Sequence, residues 1–206
     1  MSRTINVMTA RDPMVLPGNL PRPRDDGAAS HLPGMALPPL MLPSTQGGLM
    51  RVDTPPEGFG RLVVYAYPMT GLPGIDNPQG WEDIPGARGC TPESCGFRDH
   101  AAEMEAAGAA VAGLSTQSTA YQEEAAKRLR LPFPLLSDYG LQLRNELRLP
   151  VFTAQLRPEH DGGGSRTLLK RLTLVVSGGV IEKVFYPVFP PDQHADEVLA
   201  WLRGAR

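Results

Sequence analysis

Two short apolar runs, GRLVVYAYP at 60–68 and AAVAGLST at 109–116, bracket one helical stretch, TPESCGFRDHAAEMEAAG at 91–108. Neither run alternates with polar residues, which is the pattern of strands covered on both faces. A helix between two such strands is a crossover, and the strands it joins lie parallel in one sheet. Within the helical stretch, Thr91 is placed to be the N-cap, Pro92 the first helical residue and Glu93 a carboxylate at the positive end of the dipole. Gly108 suits the C-terminal stop. Downstream, TAYQEEAAKRLRL (119–131) predicts a helix, with Thr119 and Gln122 at capping-box spacing. FPLLSD predicts a short extended segment and YGLQLRNELRL a short helix. LLKRLTLVV and VIEKVFYP predict a hairpin across SGG. DQHADEVLAWLRGAR predicts a terminal amphipathic helix with Ala195, Val198, Leu199 and Leu202 on one face. The order predicts an α/β fold with a mixed central sheet flanked by helices, not a doubly wound parallel sheet. LPPLMLP and LMRV, before the first strand, could add an edge hairpin.

The chain has 206 residues, 41% hydrophobic and 20% charged, enough for one compact domain. Glycine and proline, 22 of each, crowd residues 11–59 and two later stretches, 70–89 and 157–166. Residues 1–30 are read as an irregular N-terminal arm and 31–206 as the domain. A net charge of -2 argues against nucleic acid or an anionic membrane as partner. No apolar run approaches the ~20 residues of a spanning helix, and the N-terminus lacks a signal-peptide core. A cytoplasmic location is expected, where a permanent disulfide is unexpected.

The chain's two cysteines, Cys90 and Cys95, stand together in GCTPESCGFRD. Five residues along a helix rise ~7.5 Å and turn the side chains ~140° apart. A disulfide needs Cα atoms ~4.4–6.8 Å apart, so the pair bonds only if the first turn unwinds. That behaviour suits a reversible redox pair. Cys90, at the helix N-terminus with Arg88 and Arg98 close in sequence, is the expected thiolate nucleophile. Cys95, a turn further in beside Phe97, is the expected resolving thiol. Two other readings stay open: a pair of ordinary core cysteines, or a zinc site drawing on Cys95 and His100. The spacing is not the C-x-x-C of a dithiol reductase.

GCTPESCGFRD resembles the active-site segment of peroxiredoxins of the bacterioferritin comigratory protein, or peroxiredoxin Q, type. The likeness continues through GLSTQSTAYQEEAAKRLRLPFPLLSD and the closing hairpin and helix, covering roughly residues 60–204. The resemblance implies a thioredoxin-like fold and a thiol peroxidase that reduces hydrogen peroxide or organic hydroperoxides. It implies a Cys90 sulfenic acid, a Cys90–Cys95 disulfide and a thioredoxin-like donor, with no metal, haem or flavin and a monomer or dimer. It implies that Arg171 reaches the thiolate and that Glu93 orients an arginine. One departure stands out: the family's threonine three residues before the first cysteine is Ala87 here, and its proline is Asp83. Pro68 and Thr70, in YPMTG, are the candidate replacements, which makes 71–87 an insertion beside the site, with Trp81 packed or acting as a lid. The rival reading is a non-catalytic redox sensor or interaction module.

Overall fold

The computed structural model describes residues 12–205. The first eleven residues of the expected arm lie outside that range. Five strands form the central sheet in the order Leu135–Ser137 (β5), Ala109–Ser115 (β4), Arg61–Ala66 (β3), Leu172–Ser177 (β8) and Val180–Phe185 (β9). β3, β4 and β5 run parallel, while β8 is antiparallel to both β3 and β9. This is the mixed sheet that the element order predicts.

Side-chain alternation divides the core into two layers. Leu62, Val64 and Ala66 of β3 face one layer with Ala112, Leu114, Leu174 and Val176. Val63, Tyr65 and Tyr67 face the other with Val111, Leu135 and Val175. Over this second face lie the helices Cys90–Asp99 (α1), Ala101–Ala106 (α2), Thr119–Leu129 (α3) and His194–Gly204 (α5). The first face is covered by Gln142–Leu147 (α4) and by the chain before β3, through Leu32, Leu37, Leu42 and Val52.

Several local expectations need correction. The strands Met41–Pro43 (β1) and Leu49–Arg51 (β2) do pair, but as a separate ribbon. A bridge from Ser44 to Leu136 ties that ribbon to the β5 edge. The single helix expected over 91–108 is two, because His100 leaves helical geometry at φ -100, ψ 6. Thr91 does not cap it. The helix begins two residues earlier, at Cys90, behind Gly89 at φ 105, and the Thr91 hydroxyl has no partner. Only glycine fits position 89: a Cβ there would also meet Pro191 Cγ at 2.3 Å. The cap of α3 is Ser118, whose Oγ accepts from Tyr121 N at 3.3 Å. Gln122 instead donates inward, to Ser115 Oγ at 2.8 Å and the Leu136 carbonyl at 2.9 Å. The strand expected over 168–176 is interrupted at Lys170 and Arg171. Its first part belongs to an unforeseen antiparallel ribbon, Val151–Leu156 (β6) with Gly164–Leu169 (β7).

Candidate active site

The site assembles where three ends of chain meet: the exit of β3, the N-terminus of α1 and the break before β8. Cys90 is the first residue of α1 and is 2% exposed. Its Sγ lies 3.5 Å from the Met69 N–H and 3.1 Å from Arg171 Nη2, both donors. As a thiol it donates to the Ala87 carbonyl at 3.5 Å. Arg171 is positioned by the break in the strand, and its Nη2 also reaches the carbonyls of Gly86 at 3.3 Å and Arg88 at 3.2 Å. Its Nη1 pairs with Glu93 Oε2, and both side chains are almost wholly buried. Glu93 therefore does more than complement a helix dipole. It is the counter-charge of the cation that touches the sulfur.

Burial pushes the Cys90 thiol up, the Arg171 charge pulls it down, and the Glu93 charge opposes Arg171. Burial also pushes Glu93 up, to about 7, against the pull of Arg171. The three groups form one coupled set in which each proton affects the others. Arg88 and Arg98, expected to help Cys90, are engaged elsewhere. Arg88 donates to the carbonyls of Asp12 and Val15 and approaches Glu82 at 3.4 Å. Arg98 binds Asp99 at 2.8 Å and the Leu129 carbonyl at 2.9 Å, and its charge bears on Cys95.

Cys95 is 6% exposed and, like Cys90, a free thiol. The helix runs unbroken between them, so they are unbonded in this conformation. Burial raises the Cys95 thiol, and its Sγ lies 3.8 Å from Met14 Sδ. Among the described residues no group of three or more His, Cys, Asp or Glu is gathered as for a metal ion. His100 faces Glu103 at 2.8 Å and Asp196 at 2.9 Å.

Thr70 lies at the exit of β3, yet its hydroxyl donates to Gln117 Oε1 at 3.4 Å rather than to the sulfur. Its N–H shares that acceptor at 3.2 Å, and its carbonyl accepts from Tyr121 Oη at 3.1 Å. Met69, one residue earlier, supplies the donor to Cys90 through its backbone. A backbone N–H carries no residue signature, and only the strand-ending YPMTG hinted that this turn mattered. Thr91, expected in a cap, instead lines the same cleft as Cys90 with a buried, unpartnered hydroxyl. Trp81 also borders that cleft but is buried, 6.0 Å from Phe152 by ring centroids, in an apolar cluster with Met69, Ala87 and the β6–β7 ribbon. Within the 71–87 segment, Trp81 and Ala87 are thus anchored in the wall of the site, while Pro73, Gly74, Gln79, Gly80, Asp83 and Pro85 are exposed.

Comparison with known proteins adds an independent view. The sequence profile of the AhpC/TSA family matches residues 84–177. A chloroplastic peroxiredoxin Q from Sedum lineare is 34% identical over 146 residues, 70% of this chain and 64% of that protein. One from Populus jackii is 34% identical over 144 residues, 69% of this chain and 55% of that protein. The chain thus spans between half and two-thirds of the length of these curated relatives. Among solved structures, peroxidoxin BcpB from Mycobacterium tuberculosis superposes with a TM-score of 0.64 at 28% identity, covering 85% of this chain and 99% of that one. A peroxiredoxin Q from Xanthomonas campestris, at 22% identity and a TM-score of 0.59, covers 94% and 98% and shows the shared fold.

Proposed function

We propose that the chain, similar to the AhpC/TSA family and to peroxiredoxin Q proteins and sharing their fold, is a thiol-dependent peroxidase using Cys90 as nucleophile and Cys95 as resolving thiol. The Cys90 thiolate attacks one oxygen of a hydroperoxide. The S–O bond forms as the O–O bond breaks, and the leaving oxygen takes a proton to depart as water or an alcohol. The Cys95 thiol then condenses with the sulfenic acid, forming the disulfide and releasing water. A dithiol donor, of thioredoxin-like chemistry, returns both cysteines to thiols and is itself oxidised.

One observation carries this reading: Arg171 Nη2 at 3.1 Å from Cys90 Sγ, held from behind by Glu93. A buried cation there favours the thiolate and can also face the negative charge that develops on the departing oxygen. The Met69 N–H is a second donor to the same point. The Thr70 hydroxyl, turned to Gln117, favours a second reading, a redox sensor that oxidises slowly and does not turn over.

Stopped-flow oxidation of the reduced protein by hydrogen peroxide tests both. A peroxidase oxidises rapidly and turns over with a dithiol donor, and a sensor oxidises slowly without turnover. Cys90→Ser should consume no peroxide. Cys95→Ser should consume about one equivalent and stall as a sulfenic acid. Equal loss of the first step in both variants would reverse the assignment of the thiols.

A further inference from the structure

Residues 12–16 lie across the mouth of the Cys90 cleft. They form a tight turn in which Val15 N donates to the Asp12 carbonyl at 3.2 Å and Met14 N to Asp12 Oδ1 at 2.9 Å. Arg88, two residues before Cys90, clasps the turn through Nη2 with two 2.9 Å hydrogen bonds, to the carbonyls of Asp12 and Val15. Pro13 is buried in the cleft wall, its Cβ 3.1 Å from where a side chain on Gly71 would begin. Leu16 Cδ2 comes within 3.2 Å of the equivalent point on Gly89. The Met14 thioether meets Cys95. The turn therefore lines the cleft that holds Cys90 and, through Met14, touches Cys95.

The space left is very small. The cleft bounded by Pro13, Met69, Trp81, Arg88, Cys90 and Thr91 has a volume of about 10 Å³. A cavity needs roughly 10–15 Å³ to admit one water molecule. Hydrogen peroxide, little larger than water, needs only a small movement of the cleft wall to reach the sulfur. An alkyl or aryl hydroperoxide, which must bring its organic group to within bonding distance of the sulfur, meets Pro13 and the clasped turn.

We propose that the turn at residues 12–16, clasped by Arg88, determines substrate size at this site, selecting hydrogen peroxide against bulky organic hydroperoxides. The inference rests on the peroxidase reading. Even one extra or missing methylene in a pocket changes rates by about 10–200-fold.

The test is a ratio. Second-order rate constants for Cys90 oxidation by cumene hydroperoxide and by hydrogen peroxide are measured by stopped flow on the full chain and on Arg88→Gln. Loss of the guanidinium affects the thiolate equally for both substrates, so that effect cancels. The cumene-to-hydrogen-peroxide ratio should rise by about tenfold or more in the variant. An unchanged ratio, whether both rates move together or neither moves, overturns the proposal. Should Arg88→Gln fail to fold, Pro13→Gly with Met14→Gly loosens the same turn with Arg88 intact, and the same ratio decides. A wild-type protein that hydrogen peroxide does not oxidise defeats the peroxidase reading instead, so the two failures are distinct.

Discussion

Arg171 illustrates how far a single residue can be read in advance. A cation in an apolar stretch needs a buried anion, and the structure supplies Glu93, with the Cys90 sulfur on its other side. Arg171→Met removes a charge that favours the thiolate, so the pH midpoint for thiolate formation should rise and peroxide oxidation at neutral pH should slow. Ultraviolet absorbance of the thiolate against pH measures the first effect, and a midpoint that stays put would separate Arg171 from the thiol. Glu93 acts with the opposite sign. Its carboxylate disfavours the Cys90 thiolate, and its own pKa sits at about 7. Glu93→Gln can still accept from Arg171 but loses the negative charge. It should lower the thiolate midpoint and remove an inflection near pH 7 from the rate profile. Cysteine spacing and the arginine at the head of the LTLVV run were legible because side-chain chemistry announces itself. The Met69 N–H was not, since any residue carries one, and the partner of Thr70 depended on where the chain after β4 places Gln117.

At the scale of elements, the first turn of α1 is where the helix and the thiol chemistry make opposite demands. Its Gly89 start leaves the Thr91 hydroxyl unused, so Thr91→Val should cost well under the ~1 kcal/mol of a lost cap. Denaturant unfolding checks this. Forming the Cys90–Cys95 bond, by contrast, requires the first turn to unwind, because helical geometry holds the sulfurs apart. Amide hydrogen exchange over residues 90–97 should then be faster in the disulfide form, and equal protection in both forms would show that the bond forms without unwinding. The buried strands were legible from their uninterrupted apolar runs, and the closing hairpin from the SGG turn between two strand-like segments. The β6–β7 ribbon was not: Val151–Leu156 alternates weakly, carries Thr and Gln among its six residues, and leads into the glycine-rich turn. The break at His100 was equally hidden, since nothing in HAAEMEAAG departs from a helical composition.

For the whole molecule, the oxidised state should be less stable than the reduced one, against the usual effect of a disulfide. A crosslink between residues five apart closes a very short loop, and chain-entropy arguments give it about 2 kcal/mol of stabilisation. Unwinding the first turn of α1 moves Glu93, and Arg171 then remains buried without its carboxylate. Losing one partner of a buried pair costs about 3–5 kcal/mol. The same movement takes Cys95 away from Met14 and Ser94 away from its hydrogen bond with Tyr65 Oη at 3.2 Å. The costs exceed the gain, so the midpoint of thermal unfolding should fall on oxidation. Differential scanning calorimetry of the dithiol and disulfide forms, with the bond verified by mass, makes the comparison. The first face of the sheet, sealed by Leu32, Leu37, Leu42 and Val52 far from the site, should be untouched by oxidation. Leu32→Ala should therefore destabilise both forms alike, by about 2–5 kcal/mol, and leave the difference between them unchanged. A disulfide form that melts higher than the dithiol would mean that the Glu93–Arg171 pair survives oxidation and that the helix opens less than the geometry of the two thiols demands.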